Sequence, residues 1–98
     1  MKKIVVFGAG IRGKCYISNP YIKSDIVAIV DNNKNLWGTY VYGLEVKNPE
    51  TLKDLDENAV IFICNMYYDE ITEQFNEMGI KNKIERFSDE FLPMSYIE

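Results

Sequence analysis

The sequence predicts an α/β fold: a small three-layer sandwich with a mostly parallel sheet of about five strands. Three observations carry this. Apolar runs rich in β-branched residues, at Ile4–Phe7, Asp25–Val30 and Ala59–Cys64, suit strands buried on both faces. The stretches between them carry helical spacing and capping residues. A glycine turn joins the first run to the first helix.

The elements follow in order. Ile4-Val5-Val6-Phe7 is the first strand, broken by Gly8-Ala9-Gly10. A short helix runs from about Ile11 to Ser18, with Ile11 and Cys15 on one face, and Asn19-Pro20 ends it. Asp25–Val30 is the second strand, closed by the turn-forming cluster Asp31-Asn32-Asn33. Tyr40-Val41-Tyr42 and Leu44-Glu45-Val46 flank Gly43 and read as an irregular strand or hairpin feeding a third strand. Asn48 caps a short helix from Pro49 to about Leu55, with Pro49 suited to its first position.

Ala59–Cys64 is the fourth and most hydrophobic strand. The longest helix spans about Tyr67 to Met78, with Ile71, Phe75 and Met78 at helical spacing and Gly79 as its stop. Lys83–Phe87 reads as a charged edge strand. Ser88 then caps a last short helix, Asp89–Leu92, that Pro93 ends. Right-handed crossovers give the strand order 3-2-1-4-5, counted along the chain.

At 98 residues and 47% hydrophobic, the chain is expected to form one domain, residues 1–98, or the front part of a longer enzyme. The net charge of −4 argues against nucleic acid as a partner, because phosphate binding needs a basic face. Apolar runs this short do not insert into a membrane or serve as a secretion signal. A cytoplasmic location with reduced thiols is expected. With no histidine, and no C-x-x-C among the two cysteines, a metal site is not expected and imidazole catalysis is absent.

Gly8, Gly10 and Gly13 fit G-x-G-x-x-G directly after a buried strand and at the opening of a helix. This is the context of a Rossmann-like nucleotide-binding turn. Gly8 allows the tight turn, Gly10 leaves room for a phosphate, and Gly13 lets the helix sit on the strand. Ala9, Ile11 and Arg12 complete the phosphate-facing segment, with Lys14 and Lys34 as further cations within reach. A glycine turn holding no ligand is the alternative.

Asp31 ends the second strand about 20 residues after the motif, where a carboxylate can accept from both ribose hydroxyls. It would repel a 2′-phosphate, so NAD(H) or a nucleotide sugar is favoured over NADP(H). Asn32 shares that strand end. Cys64 and Asn65 end the fourth strand beside Gly8, where Asn65 either contacts the ligand or caps the next helix. Asp69 and Glu70 place negative charge nearby. Trp37, Tyr40 and Tyr42 could wall the site or cover a sheet edge. Cys15 and Cys64 could approach each other, though free cysteines are usually core residues.

Catalytic signals are sparse. None of the seven tyrosines has a lysine four positions on, which excludes a Tyr-x-x-x-Lys pair. Only Cys64, the tyrosines or the carboxylates are left as acid/base groups.

KIVVFGAGIRG, IVAIVDNN with Trp37-Gly38, YGLEV-KNPETL and AVIFICNMYYDEI together resemble the small Rossmann-like domain of bacterial surface-polysaccharide enzymes. Such domains precede CapD-like nucleotide-sugar dehydratases and PglD-type sugar acetyltransferases. The resemblance reaches about Phe87. It implies NAD or a UDP-sugar at the glycine turn, and Gly8, Gly10, Gly13 and Asp31 match. Asn65 and Met66 replace the small or hydroxyl residues common in those domains. The 98 residues hold no hexapeptide repeat or dehydratase domain, so the resemblance implies no catalytic activity.

The expected function is therefore a nucleotide-binding domain, for NAD(H) or a UDP-sugar, in sugar-nucleotide or surface-polysaccharide metabolism. It would act with a partner catalytic domain or as a homodimer. The alternative is an interaction or oligomerisation module of the same fold without a nucleotide.

Overall fold

The computed structural model describes residues 3–87. The expected last helix, Asp89–Leu92, lies outside them. Six strands are present among the described residues: β1 Ile4–Phe7, β2 Ile26–Val30, β3 Tyr40–Val41, β4 Leu44–Lys47, β5 Val60–Ile63 and β6 Ile84–Arg86. Helix α1, Ile11–Ile17, follows β1, and helix α2, Tyr68–Met78, follows β5.

The strands form one sheet in the order β3-β4-β2-β1-β5-β6. All neighbours are parallel except β3 and β4. The α/β sandwich is as expected, and the order differs from 3-2-1-4-5. The Tyr40–Lys47 segment supplies two strands where one was counted, and the added β3 lies antiparallel at the outer edge. It is two residues long, too short to leave an alternating pattern. Its turn is tight because Tyr42 and Gly43 both take left-handed backbone, φ 49° and 85°.

Burial explains the apolar strands. All four residues of β1 are buried. Ile4 and Val6 face a core that includes Ile17 of α1 together with Ile26, Ile29 and Val46. Val5 and Phe7 face the opposite core, with Ile71 and Phe75 of α2 and Leu52. Phe7 and Phe75 meet edge to face, ring centroids 5.4 Å apart. Tyr16 of α1 stacks on Phe62 of β5 at 4.2 Å. A central strand packed on both sides cannot alternate apolar with polar.

Two boundaries moved for local reasons. Asp25 stays out of β2 because its N–H closes a 3₁₀ turn onto the Ile22 carbonyl, 2.8 Å. Pro49–Asp54 is a 3₁₀ helix, its start capped by the Asn48 side chain accepting from the Glu50 N–H at 2.9 Å. Gly79 ends α2 at φ 75°, as its position in the sequence predicts.

Candidate functional site

Parallel pairing brings the C-terminal ends of β1, β2 and β5 together at one sheet edge. The chain leaves β1 toward β2 on one side, and β5 lies on the other. The crevice between them is where open α/β sheets take ligands. It holds a cleft of about 210 Å³. Gly8, Gly10, Ile11 and Arg12 line it from the glycine turn. Asp31, Asn33 and Leu36 line it after β2, and Cys64, Asn65, Met66 and Tyr67 after β5.

The three motif glycines do different work. Gly8 has φ 121°, and a Cβ there would overlap the Cys64 carbonyl oxygen. A Cβ on Gly13 would overlap the Gly8 carbonyl oxygen, so this glycine lets α1 rest on the end of β1. Gly10 is different. Its φ of −86° is open to any residue, and a Cβ there would meet nothing within 4 Å. Packing demands Gly8 and Gly13; it does not demand Gly10.

Asp31 ties the cleft together. One carboxylate oxygen accepts from the Ala9 N–H at 2.8 Å, and the other from the Asn33 N–H at 2.7 Å. Its carbonyl accepts from the Trp37 indole N–H at 2.7 Å. The glycine turn is thus bonded directly to the end of β2. Its other anchor is the Gly8 N–H, which donates to the Val30 carbonyl at 2.8 Å.

The remaining predicted positions separate into two groups. Asn65 lines the cleft, but its side chain also accepts from the Tyr67 N–H at 2.8 Å and so shapes the turn into α2. Asn32 does not line the cleft; its amide pairs with Gln74 of α2. Lys14 and Lys34 are exposed and outside the lining, as are Asp69 and Glu70. Tyr40 and Tyr42 belong to the edge hairpin, so the aromatic wall does not reach the cleft. Leu36 stands there instead.

Four lining residues, Asn33, Leu36, Met66 and Tyr67, were not among the predicted site positions. Their signal was adjacency: each pair follows a strand end already named. Met66 and Tyr67 are exposed large apolar residues, as is Ile11, and together they give the cleft an apolar lip.

The acid/base candidates narrow. Burial, and secondarily the nearby Cys15, pushes the Cys64 thiol up to about 12. Burial, followed by the nearby Cys64, Glu85 and Asp25, pushes Tyr16 up to about 12 as well. Neither group supplies a base near neutrality. No helix among the described residues is long and apolar enough to cross a membrane.

Known structures share this fold. A Rex-family repressor, RSP, is 17% identical with a TM-score of 0.67, over 90% of this chain and 53% of that one. RSP in complex with β-NADH matches equally, at 17% identity and TM-score 0.67, over 90% of this chain and 54% of that one. RSP in complex with β-NAD+ and operator DNA also matches at 17% and 0.67, over 88% of this chain and 50% of that one. The chain thus spans about half the length of the structures it matches.

The last complex corrects one expectation. A chain containing this fold does bind operator DNA, so an acidic net charge does not exclude nucleic acid as a partner. Net charge averages over a whole domain, whereas phosphate contacts need only a local basic surface, here or elsewhere in a longer polypeptide. The likeness to CapD-like and PglD-type sugar enzymes finds no support among these structures. No curated protein matches. The family model described as C2185-like, N-terminal, matches residues 1–85, nearly the whole chain, and the protein belongs to that family.

Proposed function

We propose that this domain binds NAD(H) in the cleft between β1, β2 and β5, and that it holds the nucleotide without converting it. The observation that carries the reading is Gly10. It lines the cleft, yet neither its φ nor its packing requires glycine, and as the N-cap of α1 it makes no side-chain bond where Ser, Asn or Asp would cap better. A ligand approaching the backbone there gives its missing side chain a purpose. In this reading the segment Gly8–Gly13, with Ala9, Ile11 and Arg12, faces the pyrophosphate. Asp31 accepts from the ribose hydroxyls. Cys64 and Asn65 border the part of the ligand nearest β5.

The neighbours with β-NADH and β-NAD+ favour this ligand over a UDP-sugar. Binding without conversion is favoured by the absence of histidine and by the raised Cys64 and Tyr16. A cytoplasmic, nucleotide-responsive domain of a longer or assembled protein fits these features.

Trp37 is the sole tryptophan, and its indole bonds Asp31. Its fluorescence, with calorimetry, therefore reports occupancy. Titration with NADH and NAD+ is expected to saturate, with UDP-sugars much weaker. The NAD+ titration is repeated with duplex DNA present, because one neighbour holds β-NAD+ and operator DNA together. A second reading has its own support: Asp31 is already satisfied inside the protein. If no nucleotide saturates the domain at millimolar concentration, the nucleotide-free interaction module replaces the proposal.

A further inference from the structure

We infer that Asn32 and Gln74 form a positioning pair that sets Asp31, and through it the ribose-reading edge of the cleft. The inference rests on the NAD(H) reading for its consequence, but not for its geometry.

The Asn32 amide donates to the Gln74 carbonyl oxygen at 2.8 Å. The Gln74 amide donates back to the Asn32 carbonyl oxygen at 2.9 Å. Each amide therefore gives and takes one bond, a reciprocal pair that works only with both partners facing squarely. The two residues are 42 positions apart. Nothing in the local folding of either element requires the contact: β2 is complete at Val30, and α2 is anchored by Ile71 and Phe75.

What the pair does is fasten the loop after β2 to a rigid helix. Its neighbours in the chain are the functional ones. Asp31 precedes Asn32 and bonds Ala9 in the glycine turn. Asn33 follows it, donates to the same carboxylate, and lines the cleft. Trp37 holds the Asp31 carbonyl from the other end of the loop. With both ends held, the Asp31 carboxylate has one orientation. The rest of the loop's ties run to itself, to the glycine turn and to β4, where the Asp31 N–H donates to the Lys47 carbonyl at 3.2 Å and the Gly38 N–H to the Val46 carbonyl at 2.9 Å; the Gln74 contact is its one side-chain tie to α2 among the described residues. Asn32 thus acts through Asp31 rather than by touching a ligand.

The test uses the full chain with Gln74→Leu, which leaves the apolar face of α2 untouched. Gln74→Glu is the conservative control, since it still accepts from Asn32. The first readout needs no ligand: hydrogen exchange of the Ala9 amide, whose partner is Asp31. It is expected to speed up about threefold to tenfold in Gln74→Leu, and less in Gln74→Glu. The second is affinity for ADP and for 2′-deoxy-ADP. Gln74→Leu is expected to weaken ADP about threefold to tenfold and 2′-deoxy-ADP less. In an Asp31→Asn background the Gln74→Leu penalty should vanish, because the pair acts only through that carboxylate.

An unchanged Ala9 exchange rate in Gln74→Leu overturns the inference, whatever binds. So does an equal penalty with and without the Asp31 carboxylate. Absence of ADP and NADH binding to the unaltered protein overturns the NAD(H) reading alone, and the exchange measurement still decides the positioning role.

Discussion

Gly10 and Gly13 belong to one motif, and the structure separates them. In Gly13→Ala the new methyl lands on the Gly8 carbonyl oxygen, a backbone atom with no flexible end to give way. Either α1 lifts from β1 or the glycine turn opens, and both expose the core behind Ile17. Overpacking of this kind costs about 1–3 kcal/mol. In a domain of this size that is a fall in Tm of roughly 5–20 °C. In Gly10→Ala the methyl enters open space at an accessible φ. Reduced freedom of the unfolded chain favours alanine by about 0.4–1 kcal/mol. Loss of a favourable helix-cap residue opposes it by a similar amount. Stability should therefore stay within about 0.5 kcal/mol of the parent. Thermal unfolding followed by circular dichroism measures both variants, and NADH titration measures what the Gly10 methyl does in the cleft. The expected result is a stable Gly10→Ala with NADH affinity reduced about tenfold or more. The reasoning is refuted if Gly10→Ala loses as much Tm as Gly13→Ala, or if it binds NADH as the parent does.

Three other outcomes follow from the same geometry. Cys64 is raised from an ordinary 9.0 to about 12, so the stability linked to its neutral thiol is intact below pH 9 and lost as pH climbs toward 12; urea unfolding should show this loss, and Cys64→Ala should make it shallower, leaving the part between pH 10 and 12 that belongs to Tyr16. Tyr42 holds a left-handed φ of 49° beside Gly43; Tyr42→Asn, a residue suited to that turn, should raise stability by about 0.5–1 kcal/mol in chemical denaturation, and a decrease would show that the exposed tyrosine supports the hairpin. Phe75 is wholly buried against Phe7; Phe75→Ala should cost about 3–5 kcal/mol, enough to unfold much of a small domain near body temperature, as far-UV circular dichroism would show.

The strands were legible because burial on both faces leaves an unbroken apolar run, as in β1. The capping of Asn48 and the stop at Gly79 were legible because they are local in sequence. Contacts between distant residues were not. Nothing near Asn32 announces Gln74, so its side chain was read as facing the ligand rather than α2. Asp31 was read correctly as sitting at the strand end, but its bond to Ala9 follows from the approach of β1 to β2. Leu36 was passed over because an apolar residue in a short loop carries no periodicity; Met66 and Tyr67 were read as a strand-end replacement and a helix start, not as cleft lining. Charge misled in another way: a total of −4 says nothing about where the charges lie.

Asp31 decides how the two functional readings relate. Its oxygens each accept one internal bond, from Ala9 and from Asn33. An ionised carboxylate offers about four acceptor positions, so roughly half its capacity stays available. Ribose hydroxyls can use that remainder without breaking either internal bond. An Asp31 without internal partners would rotate and lose rotamer entropy on meeting a ligand; this one has already lost it. The internal bonds that favour a ligand-free module are therefore also what a preorganised ribose site requires. Gly10 breaks the symmetry between the two readings. The Ala9–Asp31 bond would stand with any side chain at position 10 whose backbone keeps φ near −86°, because nothing packs against it. Capping α1 alone would be served better by Ser, Asn or Asp at position 10, whose side chains can accept from the first turn; a backbone left bare for a phosphate calls for glycine.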